Sequence, residues 1–341
     1  MWGKKAPASP PPRHAGLDPA STRVRLVEKT VANEANAHGP RNKSGVTVGG
    51  LKVSPTLLAG ATLLGAAALA ILVAERRRPL RDRTLPDRGR LPTNVALGAM
   101  SMAAMSAVEA PASRALARWC ERNGVGVAQA LPGPAWARDA VGFLLMDYTT
   151  YVWHVLTHEV PALWRLHLVH HVDLDLDAST ALRFHAVDML VSAPFRCAQV
   201  LVSGASPRAL EVWRGWFFLA VLFHHSNLRL PERWDRLLAL AVTTPRMHGI
   251  HHMAEPDRTG SNWSSGLSFW DRLHGTFRLD VPQRGQPIGV KAYREHLDVR
   301  PSLALPFSRQ RDAWEPPPAR NVGLGEEDHH ARTAPAVPTQ P

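Results

Sequence analysis

The chain has 341 residues, with 40 Lys and Arg against 29 Asp and Glu, a formal charge of +11 and only two cysteines. This length allows one large domain or two small ones, and Cys120 and Cys197, with no C-x-x-C pair, exclude a disulfide framework and a Cys-type zinc or iron–sulfur site. Arg residues flank apolar runs rather than alternating with aromatics, so the positive balance points to an anionic membrane surface and not to nucleic acid.

In chain order, residues 1–50 are Pro-rich and charged without periodicity, and are expected to be a disordered tail. No signal peptide is expected there, because the charged start is not followed by an apolar core. Residues 51–135 are expected to hold N-terminal membrane helices and a basic connector. Val53 to Ala74 is uncharged and, at about 1.5 Å per residue, long enough for a hydrocarbon core of roughly 30 Å. The Arg-rich stretch 75–90 follows, and the positive-inside rule makes it cytoplasmic. Leu91 to Val108 is a second apolar run, ended by Glu109 and Pro111, and a polar connector leads to the breaker cluster Pro132-Gly133-Pro134.

Residues 136–280 are expected to form the catalytic domain. A third apolar segment, Ala140 to Leu156, carries Asp147 and His154, and ionisable groups in such a segment mark function by default. Ala186 to Ser206 and Trp213 to Phe223 read as an antiparallel pair joined near Gly204 to Pro207. Residues 230–242 are amphipathic and suited to a membrane interface. Residues 281–341 are expected to be a polar, largely disordered tail. The pattern gives an all-α fold: an integral membrane helical bundle of four to five membrane helices, with the histidine groups on the cytoplasmic side.

The histidines are spaced as a metal site built from helices. His154 and His158 are four apart; His167, His170 and His171 read H-x-x-H-H, and the same spacing returns at His248, His251 and His252. Residues three and four apart share a helix face, so each group presents a converging set of imidazoles. His185, His224 and His225 stand between these groups. Eleven histidines fall between 154 and 252, too many for one ion and enough for two. Imidazole suits zinc, copper, iron and nickel. The carboxylate-rich Glu-x-x-His pattern of soluble di-iron bundles is missing, so neutral donors in a lipid setting point to dinuclear iron handling dioxygen. Asp147, Asp173, Asp175 and Asp271 then read as acceptors for imidazole N–H groups, or as loop charges. A membrane zinc metallohydrolase and a non-catalytic metal-binding membrane protein remain open.

The motifs D-Y-T-T-Y-V-W-H-V-L-T-H, L-W-R-L-H-L-V-H-H-V-D, T-A-L-R-F-H, F-H-H-S-N-L, T-P-R-M-H-G-I-H-H, S-N-W and F-W-D-R-L-H-G-T-F run from Asp147 to Phe277. Together they resemble the membrane-bound fatty acid hydroxylase/sterol desaturase superfamily, in particular its bacterial branch. The resemblance implies a di-iron centre in a histidine-rich, cytoplasm-facing helical cap, with ligands at His154, His158, His167, His170, His171, His248, His251 and His252, and further ligands at His225 and His185. It makes Asp147, His224, Asn227, Asn262 and Asp271 outer supports. It also implies hydroxylation or desaturation of a lipid C–H bond (sterol, fatty acyl or related) with O2 as co-substrate, in a bacterial inner membrane. No flavin, nicotinamide, haem or iron–sulfur motif is visible, so electrons are expected from a separate reductase, ferredoxin or cytochrome. The chain departs from the family pattern at Val155, where Arg is common, at Ala186, where Pro is usual, and at His274, where an aromatic is usual.

Overall fold

The computed structural model describes residues 46–48, 51–53 and 55–316. Two compact units divide the chain at Thr62 and Leu63. In the first, β1 (Val46–Val48) pairs antiparallel with β2 (Leu51–Val53), Val46 opposite Val53. The expected disordered tail otherwise lies outside the described residues.

Helix α1 (Pro55–Arg77) carries the first apolar run. After the connector, α2 (Asp87–Ala104) passes through a π-helical turn, Met105–Glu109, into α3 (Ala110–Asn123). The break expected at Glu109–Pro111 does not occur. Pro111 sits in the first turn of α3, where a missing N–H costs little, and the wider π turn gives the ring room. The expected polar connector is therefore helix. A short α4 (Val127–Ala130) leads to α5 (Ala135–Glu159). Pro161 stops α5 and starts α6 (Pro161–His171); Val160, the residue before it, is extended at φ −95°, ψ 112°. This corner folds α6 back on α5.

A 3-10 turn, Ala178–Leu182, precedes α7 (Ala186–Ser203) and α8 (Pro207–His225). Gly204, at φ 65°, ends α7 in the left-handed conformation, and the Ser206 hydroxyl accepts the Ala209 N–H at 3.0 Å to begin α8. The antiparallel pair expected around Gly204–Pro207 is present. Short helices complete the cap: α9 (Glu232–Leu238), α10 (Pro245–His251), α11 (Pro256–Thr259), α12 (Phe269–Leu273) and α13 (Val299–Ala304).

The bundle packs α5 on α8 and α2 and α3 on α7, around Ala117, Met146, Val200, Leu210 and Trp213. Two further cores build the cap. One joins Leu97, Leu168, Val169 and Val172 to Val290, Tyr293, Leu305 and Ala313; the other joins Leu176, Ile250 and Met253 to Val281 and Ile288. The segment after residue 281 is therefore not a tail: up to Pro316 it supplies buried apolar groups, too sparsely spaced to show as a periodic pattern. Residues 317–341 lie outside the described residues.

By length and composition, three helical stretches among the described residues can cross a membrane: Leu58–Arg77, Arg88–Ala130 and Ala186–Ser203. α5 and α8, expected to make up four to five, do not qualify as apolar enough. On α9 and just beyond it, Trp234 is 54% and Leu240 61% exposed beside Arg233 and Arg236, the surface expected of an interfacial segment.

The connector packs onto the histidine elements. Arg90 is 1% exposed and binds Asp173 and Asp177, each at 2.7 Å. Arg81 Nε donates to Gln283 Oε1 at 3.0 Å, and its guanidinium reaches the Pro245 carbonyl at the start of α10.

Candidate metal centre

The α5–α6 corner turns His154 and His158 toward His167, His170 and His171. The end of α8 brings His225, and α10 with its C-cap brings His248, His251 and His252. The donor atoms form two four-membered groups. His154, His158, His171 and His251 make one; His170, His225, His248 and His252 make the other; within each, ligand atoms lie within 4.8 Å of one another. His167 joins His170 and His171 in a third group between them. Nine of the ten expected ligands are thus brought together.

Three imidazoles of these groups are oriented by backbone carbonyls. His154 Nδ1 donates to Trp263 O at 2.7 Å, His251 Nδ1 to Ser261 O at 3.0 Å, and His225 Nδ1 to Val221 O at 2.8 Å. A carbonyl only accepts, so each of these rings carries its proton on Nδ1 and offers the Nε2 lone pair. In the second group the Nε2 atoms face each other: His225 to His170 at 3.0 Å, His225 to His248 at 3.0 Å, His248 to His252 at 3.1 Å. Nε2 of His158, His167, His171 and His251 is buried without a protein partner. Buried polar atoms are rarely left so, and a cation at each group would satisfy them. Burial, reinforced by neighbouring imidazoles, holds His170, His171, His248 and His252 well below the ordinary histidine value, and His251 down to about 3. They are neutral, the form that ligates metal.

His185 is not part of this assembly. Its Nδ1 accepts the Val187 N–H at 3.1 Å and its Nε2 lies 3.3 Å from the Leu303 carbonyl, so it caps α7 instead. His224 lies against His248, ring centres 4.0 Å apart, outside both groups.

The expected outer supports act through loops rather than on imidazoles. Asn262, at φ 54°, donates to Met247 O and Arg278 O at 2.8 and 2.9 Å and accepts the Arg278 N–H. It thereby fixes the turn whose neighbouring carbonyls, of Ser261 and Trp263, take His251 and His154. Asp271 accepts the Trp263 N–H at 2.8 Å and the Thr276 hydroxyl at 2.8 Å, holding the same turn. Asn227 pairs in both directions with the Arg81 backbone, and Asp147 accepts the Leu267 N–H. Asp173 and Asp175 bind Arg90, Asn94 and Thr84. Sequence reasoning missed Asp188, whose carboxylate stands 4.0 Å from His167 Nδ1; its place three residues after His185 was the available signal. His274 fills the expected aromatic position as a ring, stacked on Tyr151 at 4.9 Å and 16°.

The groups open on a cavity of ≈ 360 Å³, lined by His154, His167, His170, His225 and His248 and by the apolar Trp153, Met189, Trp213, Phe217 and Leu222. Such a slot takes an apolar molecule and excludes water.

The fatty acid hydroxylase family model matches residues 140–276. The ornithine lipid hydroxylase OlsE of Rhizobium tropici is 30% identical over 173 residues, 50% of each chain. Human alkylglycerol monooxygenase is 29% identical over 143 residues, 40% of this chain and 30% of its own. A cholesterol 25-hydroxylase-like protein of Danio rerio is 27% identical over 144 residues, 41% of this chain and 55% of its own. The chain thus spans about half, or less, of the length of these relatives. No solved structure matches it significantly.

Proposed function

From the match of residues 140–276 to the fatty acid hydroxylase family model, we propose that the protein is a membrane-bound di-iron oxygenase that hydroxylates or desaturates a C–H bond of a lipid. The observation that carries this reading is the pair of four-histidine groups, joined by His167, opening on an apolar cavity. His154, His158, His171 and His251 would hold one iron, and His170, His225, His248 and His252 the other. When bound, the two irons supply the reductive activation of O2, with electrons from a separate reductase, ferredoxin or cytochrome. The chain's own part is to orient the donors through the Trp263, Ser261 and Val221 carbonyls, to hold the lipid in the cavity and to keep water from the reacting carbon. The names of the relatives, a lipid hydroxylase, an alkylglycerol monooxygenase and a sterol hydroxylase-like protein, support a lipid substrate.

The site faces the cytoplasm of a bacterial inner membrane in this reading. The support is the basic connector, assigned to the cytoplasm by its charge and tied through Arg90 to Asp173 and Asp177 beside the histidines.

The test is metal content per chain after growth with iron, followed by O2 consumption with reductant and membrane lipid extract. About two irons per chain, as for dinuclear sites, with reductant-dependent oxidation of a lipid is the expected result. Two zincs and hydrolysis without O2 would replace the reading by a metallohydrolase.

A further inference from the structure

Histidines of both groups line the cavity, and three arginines line it too: Arg114, Arg196 and Arg214. Two of these have carboxylate partners. Arg214 Nη2 binds Glu109 at 2.8 Å and Ser113 Oγ at 2.6 Å, and Nη1 lies 3.1 Å from Glu211; Arg114 Nε binds Glu211 at 2.7 Å. Two arginines and two carboxylates neutralise one another there. Arg196 is different. Its one hydrogen bond runs from Nε to Ser192 Oγ at 3.3 Å, and among the described residues no carboxylate lies within ion-pair distance of it; Glu109 and Asp188 attract it only from further away. Its two terminal nitrogens have no protein acceptor.

Arg196 lies on α7, a helix apolar enough to cross a membrane. A guanidinium there is costly unless something pairs with it. Position says what that would be. Asp188, beside His167, and Arg196 both border the cavity, and eight residues of α7 between them correspond to a rise of about 12 Å. An apolar slot lined by both metal donors and a guanidinium that has no ion-pair partner, its side chain running back one turn to Ser192, fits a molecule with an alkyl body and one anionic group.

We propose that Arg196 is a specificity-determining residue that binds the anionic group, carboxylate or phosphate, of the lipid substrate, and so sets which carbon of the chain reaches the histidine groups. This rests on reading the cavity as the substrate slot. A planar guanidinium suits either oxyanion, because two parallel N–H bonds match its oxygens.

The test is equilibrium binding of tritiated single-chain probes to the full chain in an uncharged detergent: palmitate, hexadecyl phosphate and hexadecanol. The wild type is expected to hold at least one anionic probe about tenfold or more tightly than the alcohol, the scale of one charge-assisted pair. The favoured anion tells a carboxylate lipid from a phosphate lipid. Arg196→Gln is expected to erase the preference and leave hexadecanol binding as it was; Arg196→Lys is expected to keep part of it. Equal binding of all three probes by the wild type overturns the proposal without need of a variant, and so does an undiminished preference in Arg196→Gln. Binding needs neither iron nor turnover, so it can succeed where the oxygenase reading fails. Conversely, an iron-loaded, active protein that ignores probe charge refutes only the role of Arg196.

Discussion

The Nε2 atoms of His170 and His225 lie 3.0 Å apart where the ends of α6 and α8 meet. His225 donates its Nδ1–H to the Val221 carbonyl, and the same Nε2 is 3.0 Å from that of His248. His170 and His248 have no partner on Nδ1. Four imidazole donors converge there in a buried site, an arrangement that a shared cation would satisfy. Removing the metal with a chelator is therefore expected to lower the melting temperature markedly; an ion held a thousandfold above its Kd contributes about 4 kcal/mol. His225→Ala should lose metal and gain little from added iron. Metal analysis beside thermal melts, with and without chelator, checks both.

His185→Ala makes the opposite case. The ring caps α7 through the Val187 N–H, so the variant should keep full metal content and lose only about 1 kcal/mol of stability, the scale of a helix N-cap. Loss of an ion in this variant would return His185 to the ligand set.

Arg90 binds both Asp173 and Asp177 at 2.7 Å, and Arg83 also reaches Asp177, at 3.5 Å. Arg90→Ala leaves two buried carboxylates without it and is expected to cost about 3–5 kcal/mol near neutral pH. Burial alone would push the Asp177 carboxyl up; the Arg90 guanidinium outweighs that and holds it down to about 2. A depressed carboxyl contributes stability above its unfolded value of about 4, and loses it as pH falls from about 4 toward 2. In the variant the Asp177 carboxyl, buried without Arg90, gains by protonation instead, so the gap to wild type should narrow in acid. Denaturation midpoints between neutral pH and about pH 3 measure it.

Gly249 sits between His248 and Ile250 where a Cβ would run into the Arg81 guanidinium and Gln283 Oε1. Gly249→Ala is expected to cost about 1–3 kcal/mol by overpacking and to reduce metal content, because His248 and His251 move with it. Gly215→Ala, on α8 with only ordinary contact to Leu64, is the control and should be neutral or stabilising. Equal behaviour of the two in melting and metal assays would remove the steric argument.

His274 stacks on Tyr151 and also faces Tyr148, ring centres 5.8 Å apart. His274→Phe should melt like the wild type, and His274→Ala about 0.5–1.5 kcal/mol lower, the worth of such ring pairs.

The metal centre was legible because ligands must be side chains. The spacing of His154 and His158, and of the two H-x-x-H-H groups, survives folding as shared helix faces. The atoms that orient the rings were not legible, since the carbonyls of Trp263, Ser261 and Val221 carry no residue identity. The sequence casts Asp271 as an acceptor for imidazole N–H groups and Asn262 as an outer support; what they hold is the turn that presents two of those carbonyls. The helical bundle could be read from apolar runs, but Pro111 read as a terminator because a π turn has no sequence mark. Residues 281–316 misled for another reason. Val290, Tyr293, Leu305 and Ala313 are each buried singly along irregular backbone, so no period betrays them.

Within each H-x-x-H-H group, neighbouring residues serve different sets. His170 belongs to one and His171 to the other; His252 belongs to one and His251 to the other. A single peptide bond on α6, and another at the end of α10, therefore couple the two sets. Neither can be assembled while its twin stays slack. Titration of metal-free protein should accordingly run all or none, with doubly loaded and empty chains coexisting and singly loaded chains scarce, a distribution that native mass spectrometry resolves directly.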